Sequence, residues 1–471
     1  MMPTHRGVDR SSDGCRRSPR RSHPGRRARW ATVATGVLLA VLVPACARSP
    51  RPPDVVWIVV DTLRADHVGC YGHPRPTTPN LDRLADRGVR FERAYSQAPW
   101  TTPSFASMLT SLYPTTLGVT EKPDRLDDRF TLLPEVLSAH GWATGAVISH
   151  YFLRAKWNLC QGFDVYDETA IVGHGGVSGD IATGAALDFV DDHPDRPIFM
   201  LVHYFDPHYD YIEHPGYLDT SDVEYHGPVT SGMVYTDLKE MVRDLDVNDL
   251  DQLRRLYDSE IAYTDARIGE LLDGLRSRGR FDDAVIVFTA DHGEEFRERS
   301  TVGHGGTVYN ELIHVPLIVK LPGSRQTGVV STNVGLIDLY PTILDLVGVS
   351  IDHDIAGASM LDGEARLDPT PRPIFSETDW GFYRTVIDGH LKLIRRLEPK
   401  HLWFFDLAEN PAEAGAPIEP PESAASGDEV RRLLGELEGW MAAAESNRVD
   451  ADEVEVSDEE RRQLEAIGYL D

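Results

Sequence analysis

Val55-Val56-Trp57-Ile58-Val59-Val60-Asp61 is an unbroken apolar run that ends on a carboxylate. A short β-branched run without polar alternation reads as a strand buried on both faces. The pattern recurs along the chain. Residues 143–148 stop before Ser149-His150, and residues 198–202 lead to His203 and then to Asp206-Pro207-His208. Residues 284–290 run into Asp291-His292. Helix signals lie between these runs. Thr78-Pro79 starts one helix that Gly88 ends, and Pro134 starts another that Gly141 ends. Residues 257–275 and 341–347 repeat apolar positions at helical spacing. Alternating strand and helix predicts an α/β fold, a doubly wound sheet with helices on both faces. Ligands of such sheets bind beyond the carboxyl ends of the strands, where all of these ionisable residues stand.

The 471 residues suffice for one large domain and a smaller appendage. We place the large α/β domain at 55–365. After Gly363 the character changes, and Pro371-Arg372-Pro373 punctuates the chain. Residues 383–387 and 391–394 read as a hairpin around Asp388-Gly389, with a further strand at 402–407. This predicts a small C-terminal α+β subdomain whose strands occupy 366–410. Residues 411–471 read as a linker rich in proline, alanine and glutamate, then a helical tail. Its helices, at 429–444 and 458–467, are expected to face solvent, the second capped by Ser457.

The formal net charge of −28 excludes a non-specific nucleic-acid binder, because a polyanion would be repelled. The first thirty residues are crowded with arginine and lead into an apolar run at 31–45, the pattern of an export signal. That run is too short for a comfortable spanning helix. Val43-Pro44-Ala45-Cys46 resembles a bacterial lipobox, with valine where leucine is usual. Residues 1–46 are therefore expected to be a lipoprotein-type signal segment and 47–54 a tether. Localisation would be the cell envelope, with membrane attachment through a lipid on Cys46; an uncleaved anchor is the alternative. Cys70 and Cys160 could form a disulfide or remain two buried thiols.

Asp61, Asp291 and His292 stand at strand ends and offer two carboxylates and an imidazole to a divalent cation. Strand-terminal aspartates also serve as helix caps, so neither aspartate alone is diagnostic. In Trp100-Thr101-Thr102-Pro103-Ser104, Pro103 suits the first position of a helix and puts both threonines at its amino end. Free N–H groups there favour an anionic ester. A hydroxyl beside a metal can be deprotonated and attack sulfur or phosphorus. The plain alternative has Thr102 as a cap and Thr101 as spacing.

Six segments in this order resemble the sulfatase family of the alkaline phosphatase superfamily, across residues 55–407. They are VVDTLRADHVGCYG (59–72), TTPNLDRLADRGVRFERAY (77–95), APWTTPSFASMLTSLYP (98–114), FDPHYDY (205–211), TADHGEEF (289–296) and GHGGTVYNELIHVPLIV (303–319). The ending RRQLEAIGYLD (461–471) resembles a tail in one group of bacterial sulfatase-like proteins. The resemblance implies an alkaline phosphatase-like sheet. It makes Asp61, Thr101, Asp291 and His292 metal ligands and puts Thr101 at the nucleophile position. It also implies that His208 contacts the ester oxygens or protonates the leaving group, with His304 opposite it across the pocket.

Departures from the family pattern matter. Sulfatases carry cysteine or serine, oxidised to formylglycine, where Thr101 stands; threonine cannot give that aldehyde because its β-carbon bears a methyl group. Phe105 replaces the arginine that closes the motif, and Thr62 replaces the second of the family's paired aspartates. The family's lysines near Ser149 and His304 are absent, and His150 looks out of register. Metal-coordinated threonine nucleophiles are similar to those of nucleotide pyrophosphatase-like phosphodiesterases and phosphoethanolamine transferases. A second ion near Asp206, His208 and His304 would offset the missing cations. Imidazole ligands suit zinc or manganese better than the calcium of an oxygen cage.

These readings predict a metal-dependent hydrolase of sulfate or phosphate esters, small molecules or glycans, working through Thr101. The alternatives are a transferase of phospho-alcohol headgroups in the envelope and a non-catalytic relative that binds charged glycans.

Overall fold

Strand β1 (Val55–Val60) is buried along its whole length, as its composition requires. In the computed structural model the described residues are 51–461, apart from 121–123, 173–176, 209, 219–223, 381, 419–426, 455 and 459. The remaining strands of the main sheet are β2 (Val89–Tyr95), β3 (Ala143–Val147), β4 (Val165–Asp167), β5 (Ile198–Tyr204), β6 (Val285–Ala290), β7 (His314–Lys320), β8 (Gly328–Val330) and β9 (Val334–Gly335). Their order is β8-β2-β7-β6-β1-β5-β3-β4, with β9 also paired to β2. Strands β6, β1, β5, β3 and β4 run parallel. Strand β7 runs antiparallel to both of its neighbours. The sheet is thus the expected α/β sheet with one reversed strand that hydrophobic runs alone do not distinguish. Pro316 is tolerated inside β7 because the pairing with β2 is irregular between Val315 and Leu317.

Helices follow from the signals, with shifted limits. Helix α1 (Thr101–Thr110) begins at Thr101 rather than at Pro103. Helix α2 (Gly179–Asp192) packs on β5 and on helix α3 (Val247–Ser277). The latter starts ten residues before the periodic stretch, because Asp246 accepts the N–H groups of Asn248 and Asp249 as an N-cap. The helix at Pro79–Ala85 is held from outside. Thr78 makes no cap, and Asp265 of α3 accepts the N–H groups of Asn80 and Leu81 at 2.9 Å each.

A second sheet contains β10 (Ile374–Thr378), β11 (Tyr383–Asp388), β12 (Leu391–Arg396) and β13 (His401–Asp406), antiparallel in sequence order. Gly389 turns the predicted hairpin at φ 61°. Ile374, Ile387, Ile394 and Phe405 pack with Tyr95, Tyr309 and Leu312 from the main domain. Val386 and Leu393 pack instead with helix α4 (Asp428–Ser446) through Val430, Leu433 and Leu437. This corrects the expectation of a solvent-facing helix: the charged residues between them hide a three-residue apolar stripe. Each such side chain buried contributes about 1.5–3 kcal/mol.

Ser457 accepts the Glu460 N–H at 3.3 Å, as a cap does, but most of the predicted helix and the ending after Arg461 lie outside the described residues. So do the signal segment, Cys46 and residues 47–50 of the tether. Cys70 and Cys160 are both half-buried thiols, and no disulfide joins them. Among the described residues no helix is long and apolar enough to cross a membrane.

Candidate functional site

Register brings the acidic ends of three strands together. Val60 of β1 is level with Tyr204 of β5 and with Ala290 of β6, so Asp61 and Asp291 leave neighbouring strands side by side. Both are wholly buried. Asp291 Oδ1 accepts the N–H groups of His292 at 2.9 Å and Thr62 at 3.3 Å. Its Oδ2, and both oxygens of Asp61, have no hydrogen-bond donor. Burial holds both carboxyls well above their ordinary range, with the charge of Glu294 acting on Asp61 and that of Asp61 on Asp291.

The tautomer of His292 is fixed by its own loop. Its Nδ1 lies 3.0 Å from the Gly293 carbonyl, which can only accept, so Nδ1 carries the hydrogen. The lone pair of Nε2 then faces Asp61 Oδ1 at 3.6 Å, Asp291 Oδ2 at 3.5 Å and Thr101 Oγ1 at 3.4 Å. Unpaired carboxylate oxygens, an imidazole lone pair and a hydroxyl at these spacings are the donor set of a divalent cation. The four residues expected to share an ion are thus brought to one place.

Helix α1 delivers Thr101. Trp100 is extended, and no side chain caps the helix. Ser104 Oγ donates to the Asp291 carbonyl at 2.7 Å and ties the first turn to the end of β6. Thr102 is not the cap of the plain reading either; its hydroxyl donates to the Phe152 carbonyl at 3.2 Å. The backbone N–H groups of Thr101 and Thr102 are in the first turn, where a helix offers no partner.

Histidines complete the surroundings. His208 packs edge-on against His304 at 4.9 Å between ring centroids, and His304 lies 4.5 Å from His292. His304 Nδ1 is 3.2 Å from Glu294 Oε1, and burial pushes that carboxyl up to about 8. His208 and His304 are therefore neighbours rather than opposite walls. Asp206 turns to Ser178 Oγ at 3.3 Å, and burial raises it to about 6. The second-ion set proposed from sequence is not formed: no group of metal-ligand spacing among the described residues includes Asp206 or His304.

Two further imidazoles enter that sequence reasoning left out of the site. His150, which looked out of register, is buried 5.3 Å from His208. Its Nδ1 accepts the Phe152 N–H at 3.2 Å, so a neutral ring carries its hydrogen on Nε2. That makes it a donor suited to an anionic oxygen, not a metal ligand, although it lies with His208 near Asp61. His203, the sixth residue of β5, is fully buried with Nε2 3.4 Å from Asp61 Oδ2. The signal for it was its position, directly after the apolar run 198–202 and three residues before Asp206.

The rim comes from the second sheet. Trp380, just after β10, stacks on Trp100 at 5.9 Å and 14° and is 46% exposed. Gly305, next to His304, has φ 93°, and a Cβ there would meet the Trp380 ring at 2.4 Å. Thr378 Oγ1 donates to the Gly305 carbonyl at 2.6 Å.

An α/β sheet whose strand ends gather these groups against a threonine at a helix start is the frame of an ester hydrolase. The sulfatase family model matches residues 53–349, and the chain belongs to that family. It is 23% identical to N-acetylglucosamine-6-O-sulfatase of Bacteroides thetaiotaomicron over 85% of this chain and 89% of that one. It is 27% identical to an ulvan-active sulfatase of Formosa agariphila, over 68% and 66% respectively. Among solved structures, phosphonate monoester hydrolase of Agrobacterium radiobacter superposes with a TM-score of 0.65 at 20% identity, covering 84% of this chain and 96% of that one. A protein in complex with its substrate D-glucosamine-2-N,6-O-disulfate superposes with 0.68 at 19% identity, covering 86% and 100%. These likenesses establish the alkaline phosphatase-like fold.

Proposed function

We propose that the chain hydrolyses monoanionic sulfate or phosphate esters, with Thr101 as nucleophile and a divalent ion, zinc, manganese or calcium, held by Asp61, Asp291 and His292. The observation that carries this is the approach of Thr101 Oγ1 to 3.4 Å from His292 Nε2, at a helix amino end beside carboxylate oxygens that have no donor. When bound, the ion supplies the positive charge that lowers the pKa of the Thr101 hydroxyl. Thr101 Oγ, its proton released to water, attacks sulfur or phosphorus in line with the departing alcohol oxygen; the new bond forms as the old one breaks, and a protonated His208 gives that oxygen its proton and later regains one from the attacking water. Water then cleaves the threonyl ester and regenerates the hydroxyl. The N–H groups of Thr101 and Thr102 and the Nε2–H of His150 bind the non-bridging oxygens.

The chemistry of the nucleophile favours a phosphodiester over a sulfate. A threonyl ester must be released by water, since the elimination open to an aldehyde hydrate is closed to it. The partners of Asp61 and Asp291 are imidazoles rather than lysine or arginine, which suits the single negative charge of a phosphodiester or a sulfate monoester better than the two of a phosphate monoester. The names of two relatives, which concern sulfated sugars, support a glycan ester as substrate. The arginine-rich start and the lipobox-like Cys46 support work in the cell envelope, on a lipid anchor that Cys46→Ser would release. The test is Thr101→Ala assayed on bis(4-nitrophenyl) phosphate and 4-nitrophenyl sulfate: turnover is expected to vanish while weakened metal binding survives. Rates equal to wild type would remove Thr101 from the reaction.

A further inference from the structure

We propose that His203 is an additional imidazole ligand of the ion and commits the centre to a zinc-class metal rather than calcium; this rests on the metal reading above. The tautomer of His203, a ring outside the family motifs, is fixed by its neighbours. The Ser149 hydroxyl has one hydrogen and gives it to the His203 carbonyl, 2.8 Å away. His203 Nδ1, 2.9 Å from the same Oγ, must therefore be the donor to it. The lone pair of His203 is left on Nε2, which is fully buried and has no hydrogen-bond partner. It points at Asp61 Oδ2 from 3.4 Å, and a single ion can be shared with Asp61 and Asp291.

A neutral imidazole lone pair facing a carboxylate lone pair is repulsive unless something positive sits between them. A cation held by both residues relieves the contact, and the spacing fits one. Ligands of a tetrahedral ion bound at about 2.0–2.2 Å are about 3.3–3.6 Å apart. The contacts of Asp61 with His203 and His292, and of His292 with Asp291 and Thr101, fall between 3.4 and 3.6 Å. The distances alone would admit a larger ion, so the donor atoms decide. Two imidazoles and two carboxylates make a set of four donors, two of them nitrogen, which the Thr101 hydroxyl joins when it reacts; such a set favours zinc and its neighbours over calcium, which takes oxygen ligands. Thr62 supports the same assignment: it stands where the family has a carboxylate, so the oxygen cage is short by one donor and His203 supplies a nitrogen instead.

The test compares the wild-type protein with His203→Asn, Ser149→Ala and Asp291→Asn, each titrated with cobalt(II) and read by visible absorption. Zinc, manganese and calcium contents are measured after dialysis. The wild type is expected to take up zinc in preference to calcium and to give an intense tetrahedral cobalt spectrum. His203→Asn should weaken cobalt binding about 10–100-fold and shift that spectrum, with a smaller loss for Ser149→Ala. Asp291→Asn should abolish binding. X-ray absorption of the wild-type zinc form, which needs no variant to fold, should count two imidazoles. One imidazole, or an unchanged spectrum and affinity in His203→Asn, overturns the assignment of His203 and leaves the metal site standing. A wild-type protein that binds no ion overturns the metal reading itself.

Discussion

Phe105 sets its ring edge-on against His203, with centroids 5.3 Å and planes 72° apart. The family has an arginine at this position, and an arginine here would place a buried cation against an imidazole that must stay neutral. The aromatic edge instead fixes the ring by packing alone. Phe105→Leu should cost about 1–2 kcal/mol of stability and lower turnover less than tenfold. Phe105→Arg should lower it at least tenfold further, because the new charge has no partner. Thermal melts and kcat on one diester substrate compare the two.

The threonines 101 and 102 differ in what their hydroxyls touch. Thr101→Val should reduce kcat by about 10³-fold or more, as expected for loss of a nucleophile. Thr102→Val removes one hydrogen bond to Phe152, should cost about 1 kcal/mol, and should leave most of the turnover intact. Equal losses in the two variants would place the reaction elsewhere.

Buried carboxylates that lack donors should tie stability to the proposed ion. An ion at a hundred times its dissociation constant adds about 2.7 kcal/mol to the folded state. A chelator should lower the melting temperature, and added zinc should restore it. Asp291→Asn should melt at the same temperature with or without chelator.

Asp258 on α3 gives a pH dependence away from the reaction. Burial alone would raise its carboxyl, but hydrogen bonds and charge from His67 and His73 outweigh that and hold it well below the usual carboxylate range. Arg75 completes the cluster at 2.6 Å. A carboxyl depressed by folding binds fewer protons folded than unfolded, so its contribution is present above about pH 4 and fades as pH falls further. Asp258→Asn should cost about 3 kcal/mol at neutral pH. Urea melts below pH 4 should show the gap to wild type closing.

Trp380 stands outside the chemistry. Trp380→Ala should raise KM for an extended glycan ester about tenfold and leave kcat nearly unchanged. A small nitrophenyl substrate should respond less. A change in kcat alone would give the ring a different role.

Much of this was legible in the order of residues because a strand buried on both faces must be apolar throughout. Where such a run meets Asp61 or Asp291, the break in composition marks the sheet edge. Strand β7 carries the same composition, yet nothing in it records that it runs the other way. His203 was visible only as a polar residue ending a strand. Its tautomer depends on Ser149, 54 residues earlier, and its partner on Asp61, neighbours that only the sheet brings together. The buried face of α4 was hidden for a related reason: Leu433 and Leu437 are legible as apolar only once the small sheet is known to lie beneath them.

The small sheet touches the pocket through Trp380 and Thr378, whereas Asp61, Asp291 and His292 follow strands of the large one and Thr101 begins helix α1. Substitutions at Asp379, Trp380 and Phe382 are therefore expected to reshape which molecules are admitted without disturbing the proposed reacting atoms. New specificities can arise on this scaffold at the second sheet, at little risk to the reacting centre.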